Sequence, residues 1–143
     1  MKSLNYNKPD ISNFTIASEP EVLYVSSPKL IEFSVSKFEL LSKKLLFSQV
    51  EWADILHISD RTLQRYIKDN KPFEGLYAEH LQQLDNMANL AIELFVQPEK
   101  VKNWLTSSKQ VLQHTLNFAS LKSFWGVKLI SNELGRMAYG VYI

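Results

Sequence analysis

Two helix-start signals eleven residues apart constrain the fold of this chain more than any other feature of its sequence. Ser48 is followed three residues later by Glu51, the spacing of a capping box in which each side chain bonds the other's backbone N–H. Phe47 and Trp52 occupy the two positions of a hydrophobic staple around this box. Ser59 is placed to cap a second helix. The sequence therefore predicts two short helices, the first beginning at Gln49, joined by a tight turn.

The turn is predicted at residues 56–59. Leu56, Ile58, Leu63 and Tyr66 have the spacing that packs two helices across such a turn. The middle of the turn requires a positive φ, which glycine adopts freely and His57 tolerates less well. We interpret His57 as a turn residue and not as a ligand, because the other two histidines of the chain stand at no metal-binding spacing from it. No metal site and no cofactor are predicted.

Helical periodicity extends from residue 36 to the end of the chain. Apolar residues recur at three- and four-residue steps in a first helix, a long helix over residues 76–96, a helix that begins at Pro98 and a last helix that Gly140 would end. In the last helix, Glu133 and Arg136 are expected on the exposed side. The predicted fold is all-α: a helix-turn-helix bundle, followed by a small helical C-terminal module and preceded by an extended N-terminal arm. The expected boundaries are 1–35, 36–96 and 97–143.

Composition excludes several classes of function. The net charge of +1 provides no overall field that would attract a polyanion, and the absence of cysteine excludes disulfides and thiolate metal sites. The longest apolar stretch, residues 90–96, is interrupted by Glu93 and is far too short to span a bilayer. The chain contains no phosphate-binding glycine loop and no nucleophile or metalloprotease motif. We therefore expect a soluble cytoplasmic protein that is not an enzyme, has no catalytic residue and takes no small-molecule substrate.

The second helix of the predicted pair carries a set of residues typical of a DNA-reading helix. Arginine and glutamine side chains read base edges in the major groove, while serine, threonine and lysine contact phosphates. Residues 36–72 contain seven basic and five acidic residues, so the local net charge is only +2. A helix pair kept only as a scaffold is the alternative interpretation. The predicted DNA contacts are Ser59, Arg61, Thr62, Gln64, Arg65 and Lys68.

Aromatic residues and the C-terminal tail raise two further questions. Trp52, Trp104 and Trp125 lie among helical neighbours, which favours anchoring in a core or an interface over base stacking. The tail, residues 141–143, follows the predicted helix stop at Gly140 and is apolar. The tail can fold back on its own core or project towards another protein. The residues alone favour fold-back, because a short aromatic tail rarely stays in water beside an apolar face.

Two motifs of this chain are similar to those of a known family. Residues 134–142 read LGRMAYGVY and resemble the LGR-x-x-x-GV-aromatic ending of the Xre/MbcA/ParS toxin-binding antitoxin family. Residues 59–65 read SDRTLQR and resemble the S-x-x-T-L-x-R of the Xre-like helix-turn-helix of that family. The similarity covers about residues 36–143. The chain departs from the family pattern at His57, where a glycine is common, and at Ala138 and Tyr139, where an acidic residue and a histidine are frequent.

This resemblance implies a type II antitoxin paired with a RES-domain toxin that consumes NAD. In the family the antitoxin dimerises, binds operator DNA, packs its C-terminal region on the toxin and directs its last residues towards the active-site cleft. The resemblance thus favours insertion of the tail over fold-back. The inhibitory contacts that it implies by position are Arg136, Tyr139, Val141, Tyr142 and Ile143. The alternative function is a stand-alone helix-turn-helix transcriptional regulator whose C-terminal module serves dimerisation.

Overall fold

A computed structural model of the chain describes residues 31–140. This part of the chain is mainly helical, with six α-helices, one 3-10 helix and four short strands. The elements in chain order are β1 Glu32–Phe33, α1 Val35–Leu45, α2 Gln49–Leu56, α3 Asp60–Lys68, β2 Phe73–Glu74, α4 Gly75–Phe95, α5 Pro98–Thr106, β3 Lys109–Val111, β4 His114–Leu116, the 3-10 helix Phe118–Lys122 and α6 Phe124–Tyr139.

The mainly helical fold agrees with the prediction, but four short strands were not predicted. β1 and β2 pair antiparallel with Phe33 opposite Phe73, and both rings are buried. β3 and β4 form a second antiparallel pair around a two-residue turn, in which Leu112 and Gln113 both have positive φ. Sequence reasoning missed this hairpin because such turns normally carry asparagine or glycine, and neither is present here.

The predicted helix starts are confirmed. α2 begins at Gln49, and Glu51 N–H donates to Ser48 Oγ over 3.1 Å while Ser48 N–H donates to Glu51 Oε1 over 2.8 Å. The rings of Phe47 and Trp52 meet edge to face with centroids 5.5 Å apart, as the staple requires. Pro98 occupies the first turn of α5. The local signals in the sequence therefore set where these helices begin.

α4 is the central helix of the described residues. It packs against α1, α5 and α6 and against both strands of the first sheet. Its buried side includes Leu81, Leu84, Ala88 and Ala91, which sequence periodicity had placed on one face. Phe95, from the same predicted face, is half-buried at the end of α4.

α6 runs parallel to α4. His80 lies beside Phe124 at the start of both helices, with ring centroids 5.2 Å apart. Glu93 meets Tyr139 at their C-terminal ends through a 2.6 Å hydrogen bond. The two helices therefore expose two separate surfaces, one at each end of the pair.

The predicted boundaries fall at identifiable places in the chain. The division after residue 96 coincides with a γ-turn between α4 and α5, in which Val96 has φ 69° and ψ −50° and Gln97 N–H donates to Phe95 O over 2.7 Å. Buried side chains on both sides of this turn belong to one apolar cluster. Of the predicted N-terminal arm, residues 1–30 lie outside the described part of the chain. Residues 31–35 contain β1, the Ser34 cap and the first residue of α1.

No helix between residues 31 and 140 combines the length and apolarity needed to cross a membrane.

Gly126 permits the close approach of α6 to the 3-10 helix. Ser123 caps α6, because its Oγ accepts the backbone N–H of Gly126 over 3.0 Å. A Cβ placed on Gly126 would overlap the backbone carbonyl of Ser120. Since this obstacle is backbone, no rotation of a side chain can relieve it. Glycine is therefore required here for packing, although its φ is not in the left-handed region.

We expect Gly126→Ala to lower the free energy of unfolding by about 1–3 kcal/mol, because α6 must move away from the 3-10 helix. Urea denaturation measures the change. Lys43→Ala, at an exposed position of α1, is the matched control and should be near neutral. A Gly126→Ala variant as stable as the wild type would show that α6 does not depend on this close approach.

Candidate functional site

The first candidate surface is the outward side of α3. Ser59 caps this helix, with its Oγ accepting the backbone N–H of Thr62 over 3.0 Å. Leu63 is fully buried against the core, so the opposite side of the helix faces outward. The four long polar side chains predicted to contact DNA are all exposed: Arg61, Gln64, Arg65 and Lys68. Arg61, Arg65 and Lys68 recur at helical spacing and so form one cationic stripe.

The two hydroxyl groups predicted to contact phosphates are already engaged. Ser59 Oγ donates to Thr62 Oγ1 over 2.8 Å while it also caps the helix. A phosphate contact from either hydroxyl would require this bond to change. The structure thus brings the six predicted residues together, but it gives Ser59 and Thr62 a capping role and leaves the four long side chains outward.

The turn before α3 is fixed by a hydrogen bond to a residue far along the chain. His57 has φ 61°, as predicted for the middle of the turn. Its Nε2 lies 2.6 Å from the carbonyl oxygen of Lys122, so this nitrogen carries the proton and donates it. Gln49 Nε2 donates to Asp60 Oδ1 over 3.0 Å and joins the first residues of α2 and α3. The sequence identified His57 as a turn residue, but gave no signal for its partner 65 residues away.

The second candidate surface lies at the C-terminal end of α6. The predicted exposed position of Glu133 is wrong, since only 8% of this residue is exposed. Its carboxylate accepts two hydrogen bonds from Arg136, from Nε over 2.9 Å and from Nη2 over 2.6 Å. These two charged hydrogen bonds offset the free-energy cost of burying the carboxylate. It also holds the guanidinium of Arg136 against α6.

Tyr139 is exposed, and its hydroxyl donates to Glu93 Oε1 over 2.6 Å. This hydrogen bond, together with the negative charge of Glu93, raises the pKa of the Tyr139 hydroxyl above its ordinary value. Sequence reasoning had not assigned Glu93 to this surface. Its interruption of an apolar run was the available signal. Gly140 ends α6 in the left-handed conformation with φ 79°, as predicted. The predicted contacts Val141, Tyr142 and Ile143 lie outside the described residues.

A cavity of about 500 Å³ lies at the other end of the α4 and α6 pair. It is lined by side chains from the α2–α3 turn, the start of α4 and the start of α6, including Leu56, His57, Leu76, Tyr77, His80 and Phe124. The side chain of His80 is buried, and its Nε2–H donates to the carbonyl oxygen of Leu121 over 2.9 Å. No sequence pattern pointed to this cavity, because it forms only where three separate segments meet.

Neither the comparison with protein-family models nor that with curated protein sequences gives a significant match to this chain.

Burial of His80 has a consequence for the pH dependence of stability. The pKa of His80 lies below its ordinary value, chiefly because burial disfavours the charged imidazolium. The hydrogen bond to Leu121 raises this pKa, and the nearby His57 lowers it. The unfolded chain therefore takes up a proton near pH 6.5, before the folded chain does. The contribution of His80 to stability is complete above this pH and is lost as the pH falls towards the folded pKa.

We expect the free energy of unfolding of the wild type to fall between about pH 7.5 and 5.5, and that of His80→Gln to fall less. Glutamine retains an N–H that can donate to Leu121 O but does not titrate. Both proteins contain His57 and His114, so those groups contribute to both curves. Parallel curves from urea denaturation at each pH would contradict the role given to His80.

Proposed function

We propose that this chain is an antitoxin that binds operator DNA through α3 and blocks a partner toxin through the end of α6 and the C-terminal tail. The observation that carries the DNA-binding part is the orientation of α3, with Leu63 in the core and Arg61, Arg65 and Lys68 outward. The toxin-binding part rests on the resemblance of residues 134–142 to a toxin-binding ending.

In the proposed DNA complex α3 enters the major groove. Arg61 and Gln64 lie nearest its N-terminus and read base edges, while Arg65 and Lys68 continue the contact along the groove and the phosphates. The weak local charge of +2 means that recognition depends more on placed side chains than on attraction at a distance. The bonds from His57 and Gln49 support this proposal, because they fix the turn and the start of the reading helix.

In the proposed toxin complex the end of α6 supplies a docking surface and the tail enters the cleft. Arg136 and Tyr139 are held in place by Glu133 and Glu93, so little side-chain entropy remains to be lost on binding. Val141, Tyr142 and Ile143 exclude the substrate by occupying its site. The partner in this proposal is a RES-type toxin that consumes NAD, and DNA binding represses the operon of the pair.

Arg61→Ala and Arg65→Ala should each weaken binding to the DNA upstream of the gene by about 1–3 kcal/mol. Each substitution removes from the groove a charged side chain that can donate several hydrogen bonds. A mobility-shift titration measures the change. Lys43→Ala on α1 removes the same charge at an exposed position outside α3, and should have little effect beyond the salt-dependent background. Parental affinity in both arginine variants would remove α3 as the reading helix.

Deleting residues 141–143 should abolish protection against the toxin without unfolding the chain. The toxin is sought as the product of a neighbouring reading frame that arrests growth when expressed alone. Co-expression then compares survival and cellular NAD for the full chain and the truncated chain. The control Leu112→Ala removes an exposed apolar side chain from the β3–β4 turn, and should still protect. Equal survival with the truncated chain would eliminate tail insertion, whereas a full chain that gives no protection would favour a stand-alone regulator.

A further inference from the structure

The cavity at the start of α4 and α6 has the size and the apolar lining of a small-molecule site. Its volume of about 500 Å³ lies in the range of pockets that hold drug-sized ligands. Leu76, Tyr77 and Phe124 line it, and all three side chains are partly exposed, so a ligand can reach them from solvent. Trp125, the next residue of α6, is 64% exposed, whereas Trp52 is buried in the core as the sequence indicated.

The side-chain nitrogen donors that line the cavity already have partners. His57 Nε2 donates to the carbonyl oxygen of Lys122 over 2.6 Å, and His80 Nε2 donates to that of Leu121 over 2.9 Å. The ammonium of Lys122 lies 3.1 Å from Asp54 Oδ1. Burial holds the pKa of His80 below its ordinary value, so its ring is uncharged near neutral pH. An anionic ligand would therefore have to compete with an existing partner for each of these groups.

Glu74 differs from these groups, because its carboxylate has no hydrogen-bond or ion-pair partner among residues 31–140. It occupies the N-cap position of α4 but makes no side-chain capping bond. The residue is exposed and lines the cavity. The cavity therefore combines an apolar wall with one carboxylate that is available to a ligand.

The helix ends around the cavity do not cancel this negative charge. α4 and α6 begin here, while α2 and the 3-10 helix end here. An α-helix carries about half a positive charge at its start and about half a negative charge at its end. Because both kinds of end meet at the cavity, their fields partly offset each other. The carboxylate of Glu74 remains the dominant charge, and it favours a cationic ligand.

We propose that the cavity binds a small organic amine, with the ammonium group on the Glu74 carboxylate and an aromatic body against Leu76, Tyr77 and Phe124. The ammonium then donates a charged hydrogen bond, and the aromatic body removes apolar surface from water. The proposal requires binding only, so the ligand is not a substrate. It does not depend on the proposed antitoxin function, because it rests on the cavity, its lining and its charge.

Three compounds that share an indole ring and differ in their end group test the required charge. Tryptamine carries an ammonium, tryptophol a hydroxyl and indole-3-propionate a carboxylate. Each is titrated into the ¹⁵N-labelled full chain at pH 7.5, and the Kd is obtained from amide chemical shifts. Tryptamine should bind at the cavity at least about tenfold more tightly than tryptophol, and indole-3-propionate should bind most weakly. No saturable shift at residues 74–80 with tryptamine, or equal affinity for the three compounds, would overturn the proposal.

Glu74→Gln tests the proposed partner of the ammonium. The variant should raise the Kd of tryptamine about tenfold and leave the Kd of tryptophol unchanged, because only tryptamine uses the charge. Since Glu74 makes no capping bond, the free energy of unfolding should not change. The matched control is Glu39→Gln on α1, which removes the same charge away from the cavity wall. An unchanged Kd for tryptamine, or an equal loss for both compounds, would show that Glu74 does not hold the ammonium.

Leu76→Ala tests the apolar wall. This variant should weaken tryptamine and tryptophol by the same factor, at least about threefold, because both place the indole against this side chain. The matched control is Leu112→Ala, since Leu112 is similarly exposed but lies in the β3–β4 turn. If Leu76→Ala leaves both affinities unchanged, the aromatic body binds elsewhere and the proposed site is wrong. Neither variant alters a residue of α3 or of the end of α6, so failure here leaves the proposed function standing.

Discussion

The packing of α6 against α4 and the 3-10 helix is the contact on which the surfaces at both ends of the α4 and α6 pair depend. It requires the missing side chain at Gly126, whose Cβ would meet the Ser120 backbone. It also depends on two imidazoles, since His80 and His57 donate to the successive carbonyls of Leu121 and Lys122. Carbonyls at the end of a helix need such partners. Displacing this junction would open the cavity, shift Phe124 and move the end of α6 away from Glu93.

The same region joins α2 to the C-terminal half of the chain. Glu51 closes the capping box with Ser48 and also lies 3.3 Å from Lys102 of α5, and the hydrogen bond from the Ser48 backbone holds the pKa of its carboxyl below the ordinary value. Asp54 pairs with Lys122. These partly exposed pairs contribute little stability individually. Together they join α2 to α5 and to the 3-10 helix.

Parallel packing of α4 and α6 separates the proposed surfaces. His80 and Glu93 are thirteen positions apart on α4, about 20 Å of helix, so the cavity and the end of α6 lie at opposite ends of the pair. The α3 stripe is a third surface, and its contact residues are shared with neither of the others. One small core thus supports three separate surfaces.

The sequence determined the helices and their ends, because caps and staples act between residues three to five positions apart. Ser48, Glu51 and Ser59 therefore specified α2 and α3 without reference to the rest of the chain. Only tertiary structure decided that Glu133 is buried, that His57 and His80 bond carbonyls 65 and 41 residues away, and that Tyr139 meets Glu93. Periodicity assigns a residue to a helix face, but which face is covered depends on the elements packed against it. The cavity beside Trp125 exists only because three segments distant in sequence converge, and no local pattern encodes such a space.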